Sequence, residues 1–319
     1  MLLQTLVFFG QFALAKPKLY TSVRIDLEAK TGLCPGEYQK LDVFAVAGEK
    51  ESKLKFGAWK EFNIVWDIGP VSSKGGLQMP LAPEGPWAKP GLLTVQLEGN
   101  PAVRAEANLS ARYDCSLIVD RSGASGTPGS GGERGSAAAD ADGGDGQDGQ
   151  TGRPGEPGHD VEVRVFLAKE PVRGVEVLQV AVSDVATGES WNSAVAVVGG
   201  HLVVRTSGGA GGSGGPGGAG GSGATTRNGG DGGDGGEGGN GSTGGRITVM
   251  VDPSAKGRTS ALQFENFGGA PGAGGLAGDS GQAFDPGTPG GGGHAGHGGS
   301  AGGPGPAVII KVAPVGALW

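Results

Sequence analysis

Histidine, aromatic residues and cysteine are scarce in this chain, and each scarcity excludes something. His159, His201, His294 and His297 are the whole imidazole supply, and no spacing among them and the carboxylates assembles a catalytic centre or a closed metal site. Aromatic residues make up 6% and charged residues 18% of 319 residues, too little of either for an ordinary single-core enzyme domain. Lys and Arg are outnumbered by acids, 25 against 32 for a net charge of −7. They do not cluster, which sets aside nucleic acid and anionic membrane as electrostatic partners. No run reaches the ~18–20 apolar residues of a membrane-spanning helix.

Only two cysteines occur, Cys34 and Cys115. Residues 1–15, MLLQTLVFFGQFALA, are an apolar run ending in Ala13-Leu14-Ala15, an A-x-A cleavage pattern ahead of Lys16-Pro17. That reads as an export signal without the usual basic start, or alternatively as a first strand. In an exported chain the two thiols pair as a disulfide, closing a long loop worth about 4–5 kcal/mol in the chain-entropy model; in a cytosolic chain they would be buried free thiols. Asn108-Leu109-Ser110 is a glycosylation sequon only in a eukaryotic host.

What the chain has in excess is glycine. It holds 70 Gly and 20 Pro, and 53 of the glycines fall in three windows, 123–158, 208–245 and 268–305. The remaining sequence therefore has nearly normal glycine content and can build cores. Between 16 and 121, apolar and polar residues alternate in short runs, Leu19–Leu27, Lys40–Ala47, Phe62–Asp67, Leu92–Leu97 and Val103–Ile118, with turn signals at Cys34-Pro35-Gly36, Gly69-Pro70 and Pro80–Pro90. This is strand-forming sequence, and it predicts a two-sheet sandwich with Trp59, Trp66 and Trp87 as core or rim residues. The stretch WKEFNIVWDIGPVSSKGGLQMP resembles bacterial immunoglobulin-like modules, and that resemblance implies a spacer or anchor on an exported protein.

The windows repeat every third residue. Gly recurs from 123 to 135 and from 143 to 158, as Gly-Gly-x from 208 to 223 and from 229 to 245, and from 269 to 281 and 287 to 305. Three residues is the turn of a polyproline-II-type helix, which makes no hydrogen bonds to itself, so its amides need neighbouring helices or water. The pattern predicts three hairpins, six legs of about 40–60 Å at 3.1 Å per residue. Gly-Gly-x opens two sides of a leg to close approach, placing the second hairpin innermost and the first at the periphery. Flexible linkers are the alternative. Between the windows, Val161–Leu167, Val175–Ser183, Ala194–Val198, His201–Thr206, Arg246–Val251, Leu262–Phe267 and Ala307–Val312 read as strands of a β base. The expected chain is thus all-β with essentially no α-helix: a signal-like segment 1–15, a sandwich 16–121 and a glycine-rich bundle with β connectors 122–319.

Triplet repeats in hairpins over 123–305 resemble two groups, the polyglycine-II adhesin at the long-tail-fibre tip of T-even phages and the glycine-rich antifreeze proteins of springtails. The first resemblance implies that the loops joining the legs bind a receptor. Here these loops are Ser136–Asp142, Ala224–Asn228 and Gln282–Pro286, with Ala139, Asp140, Thr225, Thr226, Arg227, Asn228, Phe284 and Asp285 as candidate binding residues. Arg227 and Phe284 are a cation and an aromatic among small residues, a pair suited to glycan or protein surfaces. Exposure of Phe284 favours that role, and burial would make it a cap on the bundle. The antifreeze group lacks the amino-terminal module and long β connectors and has disulfides in the bundle, a departure that weighs against ice binding.

Other motifs dissolve on inspection. Gly211-Gly212-Ser213-Gly214-Gly215 matches a nucleophile elbow only because Gly-Gly-x repeats do. Asp231, Asp234 and Glu237 share a phase, but one turn separates neighbours by about 9 Å, so they read as a solvated face and not a calcium shell. His294 and His297 are likewise a turn apart. The expected function is an exported, non-enzymatic surface or matrix protein, without cofactor or metal, recognising a glycan or protein receptor. The alternative is a structural matrix, coat or ice-binding component that uses the flat helix faces.

Overall fold

The computed structural model describes residues 19–26, 32–54, 60–72, 76–80 and 89–319. Segment 1–15, Trp59 and Trp87 lie outside the described residues. The fold is all-β, with strands in five sheets and, apart from single 3-10 turns such as Pro253–Ala255, no helix among the described residues. The described residues form two compact units, one holding those up to Pro80 and Lys89–Ala111, the other Arg112–Trp319.

In the first unit, β1 (Ser22–Asp26), β4 (Asp42–Ala47) and β5 (Lys50–Lys53) form one antiparallel sheet. A second sheet has the order β2 (Gly32–Leu33), β9 (Asn100–Ala111), β8 (Gly91–Leu97), β6 (Phe62–Trp66), and β3 (Tyr38–Lys40) pairs β7 (Gly76–Gln78). Alternation does the sorting. Val43 and Ala45 of β4, Leu93 and Val95 of β8 and Phe62 and Trp66 of β6 are buried, while the residues between them are less so. The β8–β9 hairpin turns at Gly99, whose φ of 80° excludes most side chains. Tyr20 packs on Phe62 with ring centroids 5.4 Å apart.

In the second unit the strands fall into two sheets. β10 (Ser116–Asp120), β14 (His201–Arg205) and β16 (Leu262–Glu265) form an all-parallel sheet. β13 (Ser190–Ala196), β12 (Glu176–Asp184), β11 (Val161–Lys169), β15 (Ile247–Val251) and β17 (Ile309–Val312) form the other, with β11, β15 and β17 mutually parallel. Both sheets contribute to one core, Val119, Leu202 and Val204 from the first and Val163, Val180 and Val249 among others from the second. The run Val103–Ile118, one stretch in the sequence pattern, is split between the units: β9 ends at Ala111, and β10 pairs with β14.

The parallel order follows from the connections. Each strand of the smaller sheet leads into a glycine leg, and each second leg returns into β11, β15 or β17. Legs 1 to 6 comprise residues 123–135, 143–158, 208–223, 229–245, 268–281 and 287–305. They are extended, without strand assignment, and their amides bond from leg to leg. Within one layer, leg 1 donates to leg 3 (Gly129 N to Ser213 O, 2.8 Å) and leg 3 to leg 5 (Gly214 N to Ala273 O, 2.8 Å). In the other, leg 2 donates to leg 4 (Gly149 N to Asp234 O, 2.8 Å) and leg 4 to leg 6 (Gly235 N to His294 O, 2.8 Å). A second set crosses between layers: Gly296 donates to Gly275, Gly275 to Gly236, Gly236 to Gly215, Gly215 to Gln150 and Gln150 to Ser130, each at 2.8 or 2.9 Å. Legs 3 and 4 therefore have four bonded neighbours each, and legs 1 and 6 two.

Candidate functional site

The three loops that join the legs lie side by side because the legs keep a common register. Ala224 N donates to Ala141 O (3.0 Å), linking the second loop to the first, and Gly223 N donates to Gln282 O (3.0 Å), linking it to the third. Asn228 is the keystone. Its carbonyl accepts from Gly143 N (2.9 Å), its amide donates to Asp142 Oδ1 (2.9 Å), and its Oδ1 accepts from both the amide and the hydroxyl of Thr288 (2.9 Å each). Asn228 thus ties the loops together while it stays exposed.

The other candidate residues are displayed too. Ala139, Asp140, Thr225, Thr226, Arg227 and Asp285 are exposed. Phe284 is 52% exposed, so it does not cap the legs. The guanidinium of Arg227 has no carboxylate partner among the described residues. Arg227 N closes a turn on Ala224 O (3.0 Å) and Gly287 N closes another on Phe284 O (2.8 Å), across a cis Asp285–Pro286 bond. Thr226 is the one described non-glycine residue with positive φ, 68°, a conformation costly for a β-branched side chain. Neither Cys34 nor Cys115 is a free thiol; both are disulfide-bonded.

The face expected to be merely solvated does more. Asp145 and Asp148 of leg 2 accept at Oδ1 from the amides of Asp231 (2.8 Å) and Asp234 (2.7 Å) of leg 4. Those two residues accept in turn from Gly291 N (2.5 Å) and His294 N (2.6 Å) of leg 6. The carboxylates are exposed yet serve as rungs between legs. The His294 amide and ring beside Asp234 hold that carboxyl below its ordinary range. No group of three or more His, Cys, Asp or Glu able to hold a metal ion occurs among the described residues.

One cluster had no sequence signal, because its members are far apart in the chain. Asp184, fully buried, receives Arg121 (2.9 Å) and His159 Nδ1 (2.6 Å), along with the amides of Ala186 (2.8 Å) and Thr187 (3.0 Å). Burial pushes its carboxyl up, but the Thr187 amide, Arg121, the Ala186 amide and His159 together outweigh burial and hold it well below the carboxylate range. Arg121 also stacks over Trp191 at 4.4 Å. Arg121, just ahead of leg 1, and His159, just after leg 2, tie the ends of the first two legs to the end of β12, while the Ala186 and Thr187 amides close the turn that follows it, and the cluster presents no nucleophile. Beside it, a pocket of about 350 Å³ opens between β10 and β13, lined by Leu117 to Arg121 and Ser190 to Ser193.

No protein-family model, no curated protein and no solved structure matches the chain. No helix among the described residues is long and apolar enough to cross a membrane.

Proposed function

We propose that this is an exported, non-enzymatic recognition protein of a cell surface or extracellular matrix, in which a polyglycine-II-type bundle of three hairpins presents its joined loops to a glycan or protein receptor. In this reading the amino-terminal unit is an immunoglobulin-like sandwich that spaces or anchors the bundle. One observation carries the proposal: three adjoining loops, locked together through backbone bonds and Asn228, leave an exposed aromatic, Phe284, and an unpaired cation, Arg227, on a rigid end. Preorganised exposed aromatic and Arg side chains are what dominate binding hot spots. The strained Thr226 fits the same reading, because unfavourable backbone conformations persist where surrounding structure over-determines them and cluster at ligand clamps.

The test is a glycan-array and surface-protein screen of the wild type against Arg227→Ala and Phe284→Ala. Each substitution is expected to weaken binding by about tenfold or more, in the range of a 1–2 kcal/mol hot-spot residue. Binding indifferent to both would remove the loops as the site. A structural matrix or coat role is the second reading. It is favoured by the acidic face of legs 2 and 4, where Asp145, Asp148, Asp231, Asp234 and Glu237 are all exposed.

A further inference from the structure

The two broad faces of the leg bundle differ in chemistry. On leg 3, a Cβ on Gly212 would strike the Thr127 carbonyl of leg 1, and one on Gly211 would strike the Gly239 carbonyl of leg 4. The third row of that leg, Ala210, Ser213, Pro216 and Ala219, is thereby left to the outside. Leg 5 accepts hydrogen bonds from leg 3 as leg 3 does from leg 1, so the matching row on leg 5 is Phe267, Ala270, Ala273, Leu276 and Asp279. On leg 1 it is Ser125, Pro128, Gly131 and Arg134, and both of these rows are exposed. A Cβ on Gly131 would lie 3.2 Å from Pro216 Cγ, as residues that share a face should.

This face is uncharged over most of its length. At its foot, Arg205 pairs with Glu265 (2.7 Å) and Asp120 (3.6 Å), and charge returns only at Arg134 and Asp279 near the loops. Between them stand Phe267, 63% exposed, and Leu276, 75% exposed. The equivalent row of leg 4, on the opposite face, reads Asp231, Asp234 and Glu237. Acids thus keep one face in water, while the other is a flat apolar patch of the kind that marks an interface.

The register of the legs points to the occupant. Gly132 N donates to Pro216 O and Gly217 N to Leu276 O, so Gly131 and Leu276 stand at one height; Gly135 N donates to Ala219 O and Gly220 N to Asp279 O, which levels Arg134 with Asp279. We infer that two copies of this chain pair through the face of legs 1, 3 and 5, about a two-fold axis parallel to the legs. Such an axis preserves height and exchanges leg 1 with leg 5. Leu276 of each copy then meets Gly131 of the other, the row position without a side chain, and Arg134 meets Asp279, each match occurring twice as an isologous contact requires. An axis across the legs would invert the heights and lose both matches. At the foot, Asp120 would face Glu265 of the other copy, which confines the contact to the legs. The pairing turns both sets of loops the same way and does not depend on what they bind.

Sedimentation velocity of the full, oxidised chain tests it. Three legs at the spacing of hydrogen-bonded strands, about 5 Å, and about 40 Å long offer about 600 Å² per copy, somewhat under a standard interface. The weight-average mass should therefore climb from monomer towards dimer between about 10 µM and about 1 mM, and no further. Leu276→Glu, at an exposed position, should weaken association about tenfold or more. Arg134→Asp should weaken it about three- to tenfold, and adding Asp279→Arg in the same chain should restore it. A monomer at every concentration, growth past the dimer, association indifferent to either single change, or no rescue by the charge exchange overturns the inference.

Discussion

The glycine legs and the β base of the second unit are held by opposite means. The base is a side-chain structure: Val163, Leu178, Val180, Leu202 and Ile247 are fully buried, and two sheets meet through them. The legs have no such core. Their cohesion is backbone to backbone, at a spacing so close that a Cβ on Gly236 would overlap the Gln150 carbonyl oxygen and one on Gly215 that of Ser130. Apolar burial tolerates some change of shape, because cores of similar volume repack. A lattice of backbone hydrogen bonds does not, since any side chain pushes the donor away from its acceptor. The lesson is that glycine here acts as a packing residue, and its usual flexibility is suppressed by neighbours on several sides.

The sharpest way to break that comparison is to add one methyl group. Gly236→Ala is expected to cost about 3–5 kcal/mol, at the top of the range for a point mutant. Gly292→Ala, with nothing within 4 Å of the new atom, should stay within about 0.5 kcal/mol. Leu178→Ala in the base should cost about 2–5 kcal/mol by cavity formation, so one methyl gained in a leg would rival three carbons lost from the core. Urea midpoints at constant slope read all three. Equal costs for Gly236→Ala and Gly292→Ala would mean that the legs are not in contact.

Asp184 joins the two regions, and its pH behaviour sharpens the contrast between them. Its folded carboxyl lies below the unfolded value, so the stability it contributes is fully present above that unfolded value, about 3.9, and is lost as pH falls through the folded one. Asp184→Asn should cost about 3 kcal/mol at neutral pH, because Arg121 loses its buried partner, and should make the decline in stability below about pH 4 shallower. A decline as steep as that of the wild type would assign the acid sensitivity elsewhere.

The smallest effect concerns the rungs. Asp231→Ala removes the acceptor of the Gly291 amide and should lower stability by about 1 kcal/mol. Asp231→Asn keeps an oxygen at Oδ1 and should be close to neutral in the same denaturation assay. If the two variants behave alike, the carboxylate is only solvated.

Much of this architecture was legible because it rests on local periodicity. Six of the seven alternating apolar runs from Val161 to Val312 coincide with strands, while Ala194–Val198 meets only the end of β13, which starts earlier at Ser190, and the absence of α-helix among the described residues follows from the glycine, proline and β-branched content. The phase shared by Asp231, Asp234 and Glu237 put them on one exposed face, but their role as rungs depends on Asp145 and Asp148, 86 residues earlier in chain register. The fate of Val103–Ile118 was also not readable. Both halves have strand-forming sequence, and only pairing partners assign Ala111 to one unit and Ser116 to the other. Of the candidate loop residues, all exposed, Asn228 also became a structural link, through neighbours that the loop sequence does not contain.

By itself the sequence determined the all-β character, the three-residue repeat and the places where legs begin and end, because these follow from steric preferences acting within a few residues. The tertiary structure alone decided which legs bond to which, how Arg121, His159 and Asp184 converge, and which strand edges remain open. Those outcomes depend on contacts between residues up to 86 positions apart, and a hydrogen-bond lattice fixes them only when all its neighbours are in place.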